Sequence, residues 1–400
     1  MNRRKFLKTF AAAGAACAVL PRACPAEAGK DDPLAPWKAG VKVRPVAPDQ
    51  NRHSIHTYYV TTPESPDGRS VLYYTSGTPE GYVGDLRVLD RAGGRETVIA
   101  RNVTVEDAHR AACQQWSSGG RRAVFHDVRD GTWLVACIDI ASGQERVLAK
   151  GRQTGFGQGS GHIVPIYGPH WKPEDHRDLE LVNVETGEIK TAVTAAAVKA
   201  RYPAEIAKAF GDRPVSIFFP VLSPDGKRVF FKMATPAGGD FRSSSASVRQ
   251  MLICYDLEKS QLILARATWG HPAWHPDSRH ILEVGPTLFD SDTGSGNRIP
   301  GLPGFKGSHP SVSPDGRLFV TDASLETSGG APKEWGIAVG LMAGGDHVMV
   351  HRFDHSRGAK SWRRNDPHPA FSPDGKRVYF NVGATEWTSL HVAEAAPPAT

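Results

Sequence analysis

The chain is built from short runs in which apolar and polar positions alternate, each separated from the next by a cluster of Ser, Pro, Asp and Gly. Period-two alternation marks a half-buried strand, and Ser-Pro-Asp-Gly is a tight-turn sequence: proline presets φ, aspartate bonds back to nearby amides, and glycine accepts positive φ. The clearest copy spans residues 366–381, where a short apolar run led by His368 enters Ser372-Pro373-Asp374-Gly375 and an alternating run leaves it. It predicts a β-hairpin. Related turns at Ser65-Pro66-Asp67-Gly68, Ser117-Ser118-Gly119-Gly120, Lys172-Pro173-Glu174-Asp175, Ser223-Pro224-Asp225-Gly226, His275-Pro276-Asp277-Ser278 and Ser313-Pro314-Asp315-Gly316 bring the total to seven units. A period of roughly 50 residues suits one four-stranded blade per repeat. The expected fold is all-β, a seven-bladed β-propeller of antiparallel blades.

Outer hairpins are legible at 85–90 with 96–100, 133–139 with 145–149, 179–184 with 188–193, and 251–256 with 262–266. The last unit ends after a third strand at 388–393, so its fourth must come from elsewhere. Residues 41–46, ahead of the first turn, are the natural donor; they would close the ring and hide an edge strand. Residues 191–211, rich in Ala, Lys and Glu and split by Pro203, predict two short surface helices inserted between blades three and four.

The N-terminus bears on where the chain works. Asn2-Arg3-Arg4-Lys5-Phe6-Leu7-Lys8, an alanine-rich run to Leu20, and Ala26-Glu27-Ala28 before Gly29 read as a twin-arginine export signal over residues 1–28. Its apolar run is shorter than the roughly 18 residues a membrane span needs. Residues 29–400 are then one propeller domain, periplasmic or secreted, expected to be a monomer with no membrane attachment after signal cleavage. Five of the 48 Lys and Arg and one of the 42 Asp and Glu fall in this leader, leaving 43 against 41, so the basic balance gives no reason to expect nucleic acid. Cys113, Cys137 and Cys254 make neither a CxxC pair nor a disulfide framework and are expected as buried thiols.

In a propeller the innermost strand of each blade runs from the top face into the hairpin, and the second strand returns to the top. Side chains that start the first strand or end the second converge on the mouth of the central channel. Seven positions before the fourth residue of each turn lie Thr61, Cys113, Phe219, His271, His309 and His368; six positions after it lie Tyr74, His126, Lys232, Val284, Asp322 and Asn381. His271, His309 and His368, from three consecutive blades, make a candidate site for a divalent metal, with Asp366 as an oxygen ligand; Mn or Zn is expected, and no organic cofactor. The same repetition would arise if His-Pro at a strand start were only repeat grammar. Lys232 and Asn381 are candidates to contact a ligand at the mouth.

Blade three breaks the pattern. Residues 155–178 bring His162, Tyr167, His170, His176 and Arg177 together in sequence, next to His109 and Arg110 leading into blade two. The glycine run lacks the Gly-Lys-Ser/Thr of a phosphate loop, and no Gly-x-Ser-x-Gly elbow occurs. A local rule broken inside a regular repeat is where function is expected. Such a cluster can take a proton, give one and neutralise a carboxylate; it also reads as an irregular loop with solvated histidines. Arg242 and Arg249, in the connection after the second strand of blade four, belong on the top face, where arginine can bind a carboxylate bidentately.

Several stretches together resemble a family. Residues 58–68 (Tyr58-Tyr59 to Asp67-Gly68), His109 with Gln114-Gln115-Trp116-Ser117, the helical insertion leading into Ile217-Phe218-Phe219-Pro220, and the closing His368-Pro369 before Ser372-Pro373-Asp374-Gly375 are similar to the seven-bladed propeller polysaccharide lyases, with oligogalacturonate lyase as prototype and ulvan and rhamnose-glucuronate lyases as relatives. The resemblance covers nearly all of residues 29–400, although Ser-Pro-Asp-Gly alone is shared with TolB-like propellers. It implies β-elimination at a uronic acid within an oligo- or polysaccharide, with His109, His126 and Tyr167 as base and acid candidates and Arg177 or Arg242 as the carboxylate partner; His170, from the blade-three cluster, and Arg249, from the top-face connection, are expected to contact the substrate. In oligogalacturonate lyase a His-x-His-Pro segment of the last blade binds manganese; here it reads Asp366-Pro367-His368-Pro369. The aspartate points toward the ulvan or rhamnose-glucuronate branch. A propeller that binds a protein or glycan without chemistry, and a glycosidase on the same scaffold, are the alternative readings.

Overall fold

The structure, a computed structural model, describes residues 32–301 and 307–397; the expected export signal lies outside the described residues. Residues from Pro33 onward form one compact unit. Seven four-stranded antiparallel sheets follow one another along the chain as the blades of a propeller. Blade one runs from His53–Ile55 to Glu96–Thr104, blade two from Gln115–Ser117 to Glu145–Lys150, and blade three from Gln153–Thr154 to Ile189–Val193. Blade four spans Ser216–Leu222 to Gln261–Arg266, blade five Ala273–Trp274 to Gly296–Arg298, and blade six Ser311–Val312 to His347–Asp354. Blade seven takes three strands from the C-terminus and its fourth, Val41–Pro45, from the start of the domain. That strand pairs antiparallel with Ser389–Ala395, Val41 opposite Ala395 and Pro45 opposite His391, as the sequence predicts. The predicted insertion is also present as helices Ala195–Arg201 and Pro203–Phe210, the first capped by Thr194, whose hydroxyl accepts from the Ala197 amide at 3.0 Å.

The repeated turn explains itself atom by atom. Ser65 Oγ donates to Asp67 Oδ1 at 2.6 Å and accepts from the Ser70 amide at 2.9 Å, while Gly68, at φ 73°, bonds back to the Ser65 carbonyl. Ser223/Asp225, Ser313/Asp315 and Ser372/Asp374 repeat the side-chain bond at 2.6–2.7 Å. The turn prolines Pro66, Pro224, Pro276, Pro314 and Pro373 rim a cavity of about 420 Å³ at the turn end of the channel, with Tyr59 at its inner wall. The chemistry described below lies beyond Tyr59, toward the other end.

Two devices hold the closing seam. Buried Glu64 of blade one accepts two bonds from Arg377 of blade seven, at 2.8 and 2.7 Å, and one from Tyr379 at 2.5 Å. Asn381 clamps the His56 backbone, accepting from its amide and donating to its carbonyl, both at 2.9 Å. Between Ile55 and the isolated bridge of Glu64 with Val71, the inner edge of blade one leaves its sheet, and Tyr58 and Tyr59 fill the channel. The three cysteines are buried and unpaired, as expected.

Candidate active site

The position seven before the turn marks a backbone irregularity that recurs from blade to blade. Cys113, Phe219, His271 and His368 all take positive φ, from 48° to 56°. Non-glycine residues pay for that conformation, on the order of 1–3 kcal/mol each, and keep it where the surroundings impose it. Here the kink precedes the inner strand, and the side chains gather at the axis. The His309 and His368 ring centroids are 4.6 Å apart, those of His271 and His309 4.8 Å, and Tyr58 stacks within 4.5 Å of His368.

The metal cradle differs from the one the register predicts. Ligand atoms of His109, Asp366 and His368 all lie within 4.8 Å of one another. His109 precedes its blade's register position by four residues, and the blade one to blade two connection turns it into the channel. Its Nδ1 lies 2.8 Å from the Arg364 carbonyl, so Nδ1 carries the proton and the buried Nε2 keeps a free lone pair. Both nitrogens of fully buried His368 also lack a partner. Three unsatisfied imidazole nitrogens beside a carboxylate fit a divalent cation better than they fit an apolar core. His309 stands at the edge, its Nε2 3.9 Å from Asp366. His271 reaches His309 but not the cradle, so it leaves the predicted ligand set.

Behind the cradle lies a buried ionic hub that sequence reasoning only grazed. Arg110, 2% exposed, donates to Glu106 at 2.5 Å and to the Tyr167 hydroxyl at 3.3 Å. His170 closes the hub, with Nε2 3.1 Å from Glu106 and Nδ1 2.6 Å from Ser247 Oγ. Burial disfavours ionised Glu106, but Arg110 and then His170 outweigh it and hold the carboxyl below its ordinary range. Burial pushes the Tyr167 phenol up, so it stays protonated.

Several sequence assignments change on this geometry. Of the groups expected to move protons, His109 belongs to the metal cradle, Tyr167 accepts from Arg110 within the buried hub, and His126 packs edge-on against Trp133. His170, expected to touch substrate, spends both ring nitrogens on Glu106 and Ser247. Asn381, expected to touch it as well, spends its amide on the His56 backbone and the Asp366 carbonyl. Arg242 stacks 4.0 Å over Tyr82 and donates to the Val105 carbonyl at 3.0 Å, bracing the blade-four loop against blade one. Arg177 bonds Ile217 through its carbonyl; the arginine on Tyr167 is Arg110. Within blade three, His162 is exposed at the start of the strand whose end carries Tyr167, and His176 turns to Arg152 at 3.1 Å, so the histidine cluster of the sequence is not a cluster in space.

What remains open at the mouth is cationic. Lys232, Arg249 and Arg363 are half-buried, and none makes a hydrogen bond or ion pair among the described residues. The Lys232 ammonium lies 4.4 Å over Trp269. Burial, then Arg363 and Arg249, pull its pKa well below the ordinary value, and burial with Arg363 brings Arg249 down to about 10. Arg363 escaped the sequence reading, although Arg363-Arg364 two residues before Asp366 was a visible signal. Next to these cations the His271 and His309 rings diverge in basicity. Burial, His309, Lys232 and Arg363 push His271 down to about 3. Burial also opposes a charge on His309, but the Asp322 carboxylate, 2.9 Å from Nδ1, wins and raises it.

The buried histidines predict acid lability. Burial pushes His56 and His126 down to about 3 and His355 to about 4. The folded protein holds them neutral while the unfolded chain takes up protons near pH 6.5, so their contribution is fully present above pH 6.5 and lost as pH falls below it. The thermal midpoint should drop steeply between pH 6.5 and 4; a flat profile over that range would refute neutral buried rings.

No family model matches the chain, and no curated protein matches it. Among solved structures, an oligogalacturonate lyase in complex with manganese superposes with a TM-score of 0.62 at 18% identity, covering 90% of this chain and 94% of its own. The oligogalacturonate lyase of Vibrio parahaemolyticus gives 0.61 at 15% identity, over 88% and 93%. Over nearly its whole length this chain therefore has the seven-bladed propeller fold seen in oligogalacturonate lyases.

Proposed function

We propose that the protein is an exported lyase that cleaves a uronate-containing oligosaccharide by β-elimination. The His271–His309 pair carries this reading: two imidazoles with centroids 4.8 Å apart, one kept neutral by burial and its cationic neighbours, the other raised in basicity by Asp322. Titratable neighbours whose environments push their pKa values apart mark acid and base roles. Lys232, Arg249 and Arg363 receive the uronate carboxylate. That anion offsets the Lys232 and Arg363 charges that depress His271, so the ring gains basicity when substrate arrives. His271 then takes the proton α to the carboxylate, the C4–O4 bond breaks as the C4=C5 double bond forms, and the leaving oxygen takes its proton from His309. A divalent cation held by His109, Asp366 and His368, with Mn or Zn suited to the imidazoles, would add positive charge next to the carboxylate.

Incubation with oligogalacturonate, ulvan and rhamnosyl-glucuronate panels should produce the ultraviolet absorbance of an unsaturated uronate on at least one. Saturated products would favour a glycosidase, and no product at all would sink the lyase reading. Asp322→Asn should move the alkaline limb of kcat/KM to lower pH, because His309 loses the carboxylate that keeps it charged. An unmoved limb would remove His309 from the acid role.

A further inference from the structure

Three rings stand together over blades two to four: Trp133, which is buried, and two others that belong to no apolar core cluster of the described residues. Trp133 opens the third strand of blade two, Trp171 follows His170, and Phe241 sits in the blade-four loop. Trp171 and Phe241 are half-buried, with centroids 5.3 Å apart and planes 32° from parallel; both meet Trp133 edge-on, at 5.5 and 6.4 Å. Arg242 bounds the group on one side, 4.9 Å over Phe241. On the other side the group runs into the site, Trp171 meeting His170 at 4.7 Å and Trp133 meeting His126 at 5.2 Å. His126, 1% exposed, has no partner at either nitrogen.

Large aromatics that pack no core and lie half in water gain little from folding by themselves. Two half-buried rings packed on one another at a tilt of 32° instead offer an apolar platform on their solvent side, of the kind ligand sites use, with unsatisfied polar groups at its inner edge. The group leads toward the cationic mouth through His170 and Phe218, whose ring centroids are 4.8 Å apart, with the Arg249 guanidinium 5.9 Å from Phe218; apart from Arg242, which Tyr82 and Val105 already hold, it presents no charge. It therefore suits an uncharged ring face better than a second acid group. We propose that this platform is a saccharide subsite, taking the sugar next to the uronate with its C–H face on Trp171 and Phe241. The proposal rests on the uronate reading of the mouth and assigns the neighbouring unit of the same oligosaccharide.

Calorimetric titration of the full protein with galacturonic acid, with saturated oligogalacturonides of two to five units, and with glucuronosyl-rhamnose oligomers tests it. Trp171→Ala and Phe241→Ala should weaken binding about tenfold for chains of two or more units and leave the single uronate unchanged, while Trp171→Phe stays within about threefold of wild type. Circular dichroism melts check that each variant folds, and the phenylalanine variant keeps the test open if alanine does not. The platform is overturned if the alanine variants bind every length as wild type does, if wild type gains nothing from added units, or if wild type binds none of the panel. Length-dependent binding with no unsaturated product would keep the platform and sink the lyase reading; product without length dependence would do the reverse.

Discussion

Arg110→Met is expected to cost the protein about 3–5 kcal/mol of unfolding free energy, because it strips the counterion from carboxylates that have no access to water. Glu106 and Asp107 are 1% and 0% exposed, and the guanidinium approaches them at 2.5 and 3.9 Å. The same group holds the Tyr167 hydroxyl and lies 5.6 Å from the Phe218 and Phe219 ring centroids, so methionine keeps much of the packing and removes chiefly the charge. Adding Glu106→Gln should recover part of the loss, since the uncompensated anion is then gone. Urea unfolding of the two variants measures both effects. A single-variant cost under about 1 kcal/mol, within the range of surface pairs, would show that the hub is not the buried ionic unit its geometry describes.

His271→Ala should leave the fold intact and reduce kcat/KM by about 10²–10⁴-fold, the usual contribution of a positioned proton acceptor. The ring is half-buried and makes no hydrogen bond among the described residues, so its removal strands none of their polar groups. Among the described residues its one ring contact is His309, at 4.8 Å. Added imidazole should restore part of the rate if the lost function is proton transfer. Wild-type rates in the variant, measured by absorbance of the unsaturated product, would eliminate His271 as the base.

The ring and its closure were legible because the turns repeat a local chemistry: Ser65, Asp67 and Gly68 do in blade one what Ser372, Asp374 and Gly375 do in blade seven. The register also found His271, His309, His368 and Lys232, since equivalent strand ends must converge around an axis. It could not find His109 as a cradle member or Arg363, because both sit on connections between blades, where no period applies. It also could not see that Asn381 and His170 are spent on other protein groups. A polar residue at a strand end looks the same in sequence whether it faces a ligand or a neighbouring backbone. Blade three misled for a related reason: residues close in sequence along one strand, such as His162 and Tyr167, are carried to opposite ends of it.

The pairing of Val41–Pro45 with Ser389–Ala395 has a temporal side. Arg44 and Glu394, joined across it at 3.2 Å, are 350 residues apart, so the first strand made waits for the last. At roughly 5–20 residues per second, that interval is on the order of 20–70 s of synthesis, during which the ring stays open with an unpaired edge. Completion of the circle thus waits until Ser389–Ala395 has been made, and loss of that strand would leave six blades made and the seventh unable to form.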